Sequence, residues 1–138
     1  MEYSNEYGTY KDLAIYRLDQ SKIDIQSAHL LLESKDYRGA NNRAYYAIFH
    51  AISAVYALEE KAYKRHKDAL SNFNKDYIRT EVFPKEFGRR IVKAEEIRHA
   101  SDYNDFYLAR KEDAVQQIET AKELIHCVER YIEARAGI

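Results

Sequence analysis

Between Ala40 and Leu58 the chain carries two parallel rows of apolar side chains at helical spacing. Ala40, Ala44, Ala47, Ala51, Ala54 and Leu58 form one, and Tyr45, Phe49, Ile52 and Tyr56 the other. A helix that is apolar around most of its circumference has to be wrapped by others, so this segment predicts a central rod. Its alanines let a neighbouring backbone come close, and its aromatic row supplies bulk for the opposite gap. Arg43, Tyr46 and His50, three and four residues apart, project together from the remaining strip. They form either a hydrogen-bond network inside a bundle or the floor of a site.

The flanking sequence supplies the wrapping. With one proline and four glycines in 138 residues, little interrupts a helix. The expected fold is all-α, an up-and-down bundle of four to five helices in a single domain over residues 1–138, with its core at about 10–135. Residues 1–8 read as a lead-in. A first helix runs from about Thr9 to Lys35 on the seam Ala14, Leu18, Ser21, Ile25, Ala28 and Leu32, and Asp36 caps the central helix. After a loop at Glu59–Arg65 comes a shorter helix, His66 to Arg79. The next begins near Pro84 and carries Phe87, Ile91, Ala94 and Ile97 inward as far as about His99. Ala100 to Leu108 reads as a loop held by aromatic anchors. The last helix runs from about Arg110 to Ala134 on Ala114, Ile118, Ala121, Ile125, Val128 and Ile132.

Several function classes fall away. The lone cysteine, Cys127, sits in an apolar pattern and reads as core filling; it provides neither a disulfide framework nor a cysteine metal site, which points to a reducing, cytoplasmic setting. No apolar run approaches the roughly 20 residues that cross a bilayer, so a soluble protein without a membrane role is expected. Net charge is −1, yet residues 61–99 hold eleven Lys and Arg against six Asp and Glu. That stretch is where an anion such as RNA phosphate would be drawn, unless it is simply a solvated face.

Four segments carry a resemblance. They are Asn42-Arg43-Ala44-Tyr45-Tyr46-Ala47-Ile48-Phe49-His50-Ala51, Phe73-Asn74-Lys75, Phe83-Pro84-Lys85-Glu86-Phe87-Gly88-Arg89 and Arg98-His99-Ala100-Ser101-Asp102-Tyr103. In order and spacing they resemble the HEPN domain family, over about residues 10–135 when the long flanking helices are included. The resemblance implies a helical bundle that forms a homodimer, with a small nucleotidyltransferase as a partner. It implies an RNA- or nucleotide-binding protein, the effector of a toxin–antitoxin or similar two-component system. The alternatives are a metal-independent endoribonuclease and a non-catalytic interaction module. The family's nuclease signature is an arginine, a polar follower and a histidine four to six positions on. Arg98 and His99 supply the first two, but Asp102 and Tyr103 stand where the histidine would; Arg43 and His50, six residues intervening, lie on the earlier helix.

Metal-independent RNA cleavage needs proton transfer from the 2′-hydroxyl, stabilisation of the phosphorane and proton transfer to the leaving oxygen. Histidine serves either proton step near neutral pH, and the arginine fork matches two phosphate oxygens. The candidate catalytic residues are therefore Arg98, His99 and His50. Candidates for nucleotide or RNA binding are Arg43, Tyr46, Asp102, Tyr103, His66 and Lys67. Arg98 and Asp102, four apart, could equally be an ion pair closing a helix end. Histidines and carboxylates never cluster at metal-ligand spacing, so neither metal nor cofactor is expected.

Overall fold

The computed structural model describes residues 9–137, so the expected lead-in at 1–8 lies outside the described residues. Five helices follow one another: α1 (Tyr10–Glu33), α2 (Tyr37–Leu58), α3 (His66–Phe73), α4 (Glu86–Tyr103) and α5 (Lys111–Ala136). No strand occurs among the described residues, and this is the all-α bundle that the sequence predicts. α2 is the rod at its centre, in contact with each of the other four helices. Its alanine row is fully buried from Ala40 to Ala54, and Ala14 and Ala28 of α1 and Ala114 and Ala121 of α5 are buried as completely. Small residues on three helices allow close backbone approach, while Ile48, Ile52, Leu124 and Val128 fill the spaces between. Each such aliphatic side chain contributes about 1.5–3 kcal/mol by leaving water.

Local chemistry fixes the helix ends. Thr9 and Asp12 form a reciprocal capping box at the start of α1. At its other end Lys35 turns into the left-handed region (φ 65°), which lets the Asp36 and Lys35 amides donate to the carbonyls of Leu31 and Leu32. Asp36 then caps α2 by accepting from the Gly39 amide at 2.9 Å. A Cβ on Gly39 would lie 2.5 Å from that carboxylate, so only glycine leaves the cap intact. α2 ends as α1 does, with Glu60 at φ 58°.

The flank departs from the sequence reading in three places. The helix from His66 stops at Phe73 and widens into a π-helical turn, Asn74–Ile78, closed by the Arg79 amide on the Asn74 carbonyl at 2.9 Å. The next helix starts at Glu86, because Pro84 instead heads a tight turn whose carbonyl accepts from the Phe87 amide. α4 runs to Tyr103 and not His99, its last turn held by pairs four apart: Arg98 with Asp102 at 3.7 Å, and the His99 and Tyr103 rings at 4.7 Å. One ring anchors the remaining loop: Tyr107 is half-buried with its hydroxyl enclosed, and burial raises its pKa. Phe106 is 93% exposed, and Asn104 shapes the turn by accepting from the Phe106 and Tyr107 amides.

Rings hold the flank to α2. Phe73 lies 5.1 Å from Tyr77 and 5.3 Å from Phe83, and Tyr56 of α2 meets Phe73 edge-on. Cys127 is half-buried against the core, and burial pushes its thiol pKa up, as suits a packing residue. No helix among the described residues is long and apolar enough to cross a membrane.

Candidate functional site

The polar strip of α2 turns toward α1 on one side and α4 on the other. Asp24 of α1, only 6% exposed, accepts from Arg43 at 3.2 Å and sits 2.6 Å from His50 Nδ1. With the carboxylate oxygen as acceptor, Nδ1 carries the proton of that bond, and Nε2 is the ring nitrogen left for other partners. One buried carboxylate thus fixes both the direction of a guanidinium and the tautomer of an imidazole.

Arg98 reaches the same strip from α4. Its guanidinium lies 5.0 Å from the Tyr45 ring and 5.9 Å from the Tyr46 ring, and the Arg43 guanidinium is 4.9 Å from that same Tyr46 ring. Two cations drawn to one aromatic side chain flank a cleft between α2 and α4, each with a carboxylate at hand, Asp24 for Arg43 and Asp102 for Arg98. Arg98 is about a quarter exposed, and its Asp102 partner, at 3.7 Å, is loosely placed and solvated. Beneath it the Tyr45 hydroxyl, a Glu95 oxygen and Arg98 Nε are buried with no hydrogen-bond partner among the described residues. Burial, then the neighbouring Glu95, raises the Tyr45 pKa far above its ordinary value, so this hydroxyl stays protonated.

His66, the first residue of α3, closes the cleft. Its ring stacks on Phe49 at 3.9 Å and meets the Tyr46 ring edge-on at 5.9 Å. Burial lowers its pKa below the usual 6.5; Arg98 and His50 push the same way, and Glu95 opposes them. A neutral ring is thereby favoured where two arginines already stand.

The structure brings Arg43, Tyr46, His50, His66 and Arg98 into one cluster and ties Asp102 to it through Arg98. His99 and Lys67 lie elsewhere, lining an open groove of about 530 Å³ between α3 and α4. Tyr103 faces water beside His99, so Arg98 and its sequence neighbour have different surroundings. Asp24 was missed by sequence reasoning, although a signal exists. It falls three residues after Ser21 and four before Ala28, which places a carboxylate on the inward face of α1. Glu95 carries a weaker form of the same signal, four residues after the inward-facing Ile91 and three before Arg98. Among the described residues no group of three or more His, Cys, Asp and Glu could hold a metal ion.

The cleft can bind an anion, stack a planar group and move a proton. Known proteins are similar to this chain over most of its length. A protein of Thermotoga maritima named "UPF0332 protein" is 28% identical over 109 residues, 79% of this chain and 83% of its own. Two proteins of Methanocaldococcus jannaschii are also similar. "Putative toxin MJ0605" is 32% identical over 62% of this chain and 64% of its own, and "Putative toxin MJ0142" is 24% identical over 83% and 78%. The family model of the HEPN domain matches residues 14–131, which takes in Asp24, the whole of α2, His66 and Arg98, and the chain belongs to the HEPN domain family.

Proposed function

We propose that this chain binds single-stranded RNA in the Arg43–Arg98 cleft and acts as a toxin-like effector. The observation that carries the reading is the pair of guanidiniums within 6 Å of the Tyr46 ring, one from α2 and one from α4. A phosphate between them would meet two forks, and Tyr46 and His66 offer faces on which an unpaired base stacks. The two relatives named as toxins support the cellular role. Membership in the family supports self-association and a small nucleotidyltransferase partner, and the exposed Phe106 and Leu108 beyond α4 offer apolar surface for such contacts.

One observation favours cleavage over binding alone: His50 held by Asp24 at 2.6 Å. With Nδ1 engaged, Nε2 can take the proton of a 2′-hydroxyl as that oxygen bonds to phosphorus, forming a cyclic phosphate as the 5′-oxygen leaves. The departing oxygen needs a proton from a second group, which the same histidine of a second copy would supply.

Fluorescence anisotropy with a labelled single-stranded RNA at several salt concentrations tests the binding reading. Arg43→Ala and Arg98→Ala should each weaken binding and lower the salt slope by about 0.7–1, the share of one phosphate contact. Unchanged affinity in both would refute it. Cyclic-phosphate ends formed in chelator, and lost in His50→Ala, would mark the nuclease; RNA left intact by the wild-type protein would reduce the role to binding.

A further inference from the structure

Along the outer side of α4, Val92, Glu96, His99 and Tyr103 follow one another at spacings of four, three and four, so they stand in one row. Val92 is 47% and Tyr103 75% exposed, and Glu96 and His99 are exposed as well. The first three also line the open groove of about 530 Å³ between α3 and α4, where Leu70, Ile91 and Ala100 add apolar surface. Tyr103 stands just past the groove, its ring 4.7 Å from that of His99. An apolar trough and an exposed ring thus lie end to end on one helix.

A four-three-four row is the seam of a two-helix coil, and two-fold symmetry pairs this one with itself. In an antiparallel copy whose axis passes between Glu96 and His99, Glu96 falls opposite His99 of the second copy and Val92 opposite its Tyr103. Each contact occurs twice. A carboxylate then meets an imidazole that can donate to it, and a phenol ring meets the apolar trough. Like flanks of antiparallel helices also come together. On the flank toward the cleft Asp102 is paired with Arg98, and Glu95 turns an oxygen inward near Tyr45, which limits repulsion there. α1 offers the contrast: its exposed row of Tyr16, Ile23 and Leu30 runs beside Asp12, Asp19 and Glu33, so an antiparallel copy would set Asp12 against Glu33.

We propose that α4 pairs with α4 of a second copy in antiparallel fashion, the Tyr103 ring of each entering the α3–α4 groove of the other. The inference rests on the proposed self-association and names its surface. It also bears on the cleft. The two-fold axis stands perpendicular to both helices, so the Arg98 flanks of the two copies open on the same side, and one RNA strand can run from one cleft to the other.

Sedimentation equilibrium of the full chain without RNA tests the pairing. The wild type should form dimers, and His99→Glu, which sets carboxylate against carboxylate twice, should weaken them about 2- to 30-fold. Glu96→Lys combined with His99→Glu makes the charges opposite again and should recover the dimer. Val92→Glu, at an exposed helical position, should dissociate it with helicity unchanged by circular dichroism; the same variant should bind a short single strand as the wild type does and a longer one more weakly. Dimers unaffected by all of these substitutions would refute the pairing while leaving self-association to another surface. A chain that stays monomeric at every concentration would overturn both, and undiminished affinity of Val92→Glu for the longer strand would overturn the shared use of two clefts.

Discussion

The scaffold of α1, α2 and α5 and the flank of α3, the π-helical turn and α4 are held together by opposite means. In the scaffold, fully buried alanines from three helices bring backbones together and leave little to rearrange. In the flank, Phe73, Tyr77, Phe83 and Phe87 pack as large rings, a π-helical turn interrupts the chain, and Glu95 and Arg98 hold buried polar atoms without partners. The cleft lies on the boundary: Asp24, Arg43 and His50 stand on the scaffold, and His66 and Arg98 on the flank. Such a site has one fixed wall and one adjustable wall, and only the adjustable one brings a second arginine to Tyr46.

Deleting the ring that anchors the flank should break this contrast most severely. Phe73→Ala removes a fully buried side chain at the junction with α2, at a cost of about 3–5 kcal/mol. Hydrogen exchange should show α3 and α4 losing protection before α1 and α5; simultaneous loss in all helices would erase the distinction. Overfilling the scaffold should cost less but act globally. Ala51→Leu forces a larger group between close backbones, about 1–3 kcal/mol by denaturant unfolding, with every helix destabilised together.

Asp24→Asn probes the fixed wall. It weakens two charge-assisted contacts whose partners are about one-third exposed, so the loss should be about 1 kcal/mol, less than for a fully buried pair. The sharper readout is nitrogen NMR of His50, which should show its neutral tautomer shifting once the acceptor-only oxygen is gone. An unchanged tautomer would mean that Asp24 does not set it.

His66 probes the adjustable wall through pH. It faces Arg98 and Glu95 of α4 and His50, Tyr45 and Tyr46 of α2, and its folded pKa lies below its ordinary 6.5. The unfolded chain therefore binds the proton more readily. The stabilisation is complete above about 6.5 and is lost as pH falls from there through the folded pKa. His66→Phe should flatten that part of the stability profile while keeping the stack on Phe49; an unaltered profile would remove His66 as its source. The smallest effect is expected at the end of α4, where Asp102→Asn opens an exposed ion pair and should cost only about 0.2–0.5 kcal/mol in thermal unfolding.

The two halves were also unequally legible in the sequence. Periodicity reports burial, so the scaffold seams were readable: Ala14, Leu18 and Ala28, the alanine row of α2, and Ala114 to Val128 are all buried as expected. The π-helical turn shifts the apolar face beyond it by about 100°, but only Tyr77 and Ile78 follow before the element ends, too few positions for the shift to be read. The C-terminal turn of α4 was misread because Ala-Ser-Asp-Tyr is poor in helix formers, while the pairs that hold it join residues four apart and become visible only once a helix is assumed. Arg43, Tyr46 and His50 were found because a helix sets them in register. Their joining to Asp24, Arg98 and His66 depends on three other elements, and local spacing does not encode it.

RNA affinity measured around a double-mutant cycle of Arg43→Ala and Arg98→Ala, at several salt concentrations, tests the two-walled cleft most directly. If both guanidiniums grip one stretch of backbone, each single variant weakens binding and the losses in the double variant fail to add, with the salt slope reduced in each. Strictly additive losses would place the two arginines on separate sites, and no loss in either variant would contradict the cleft altogether.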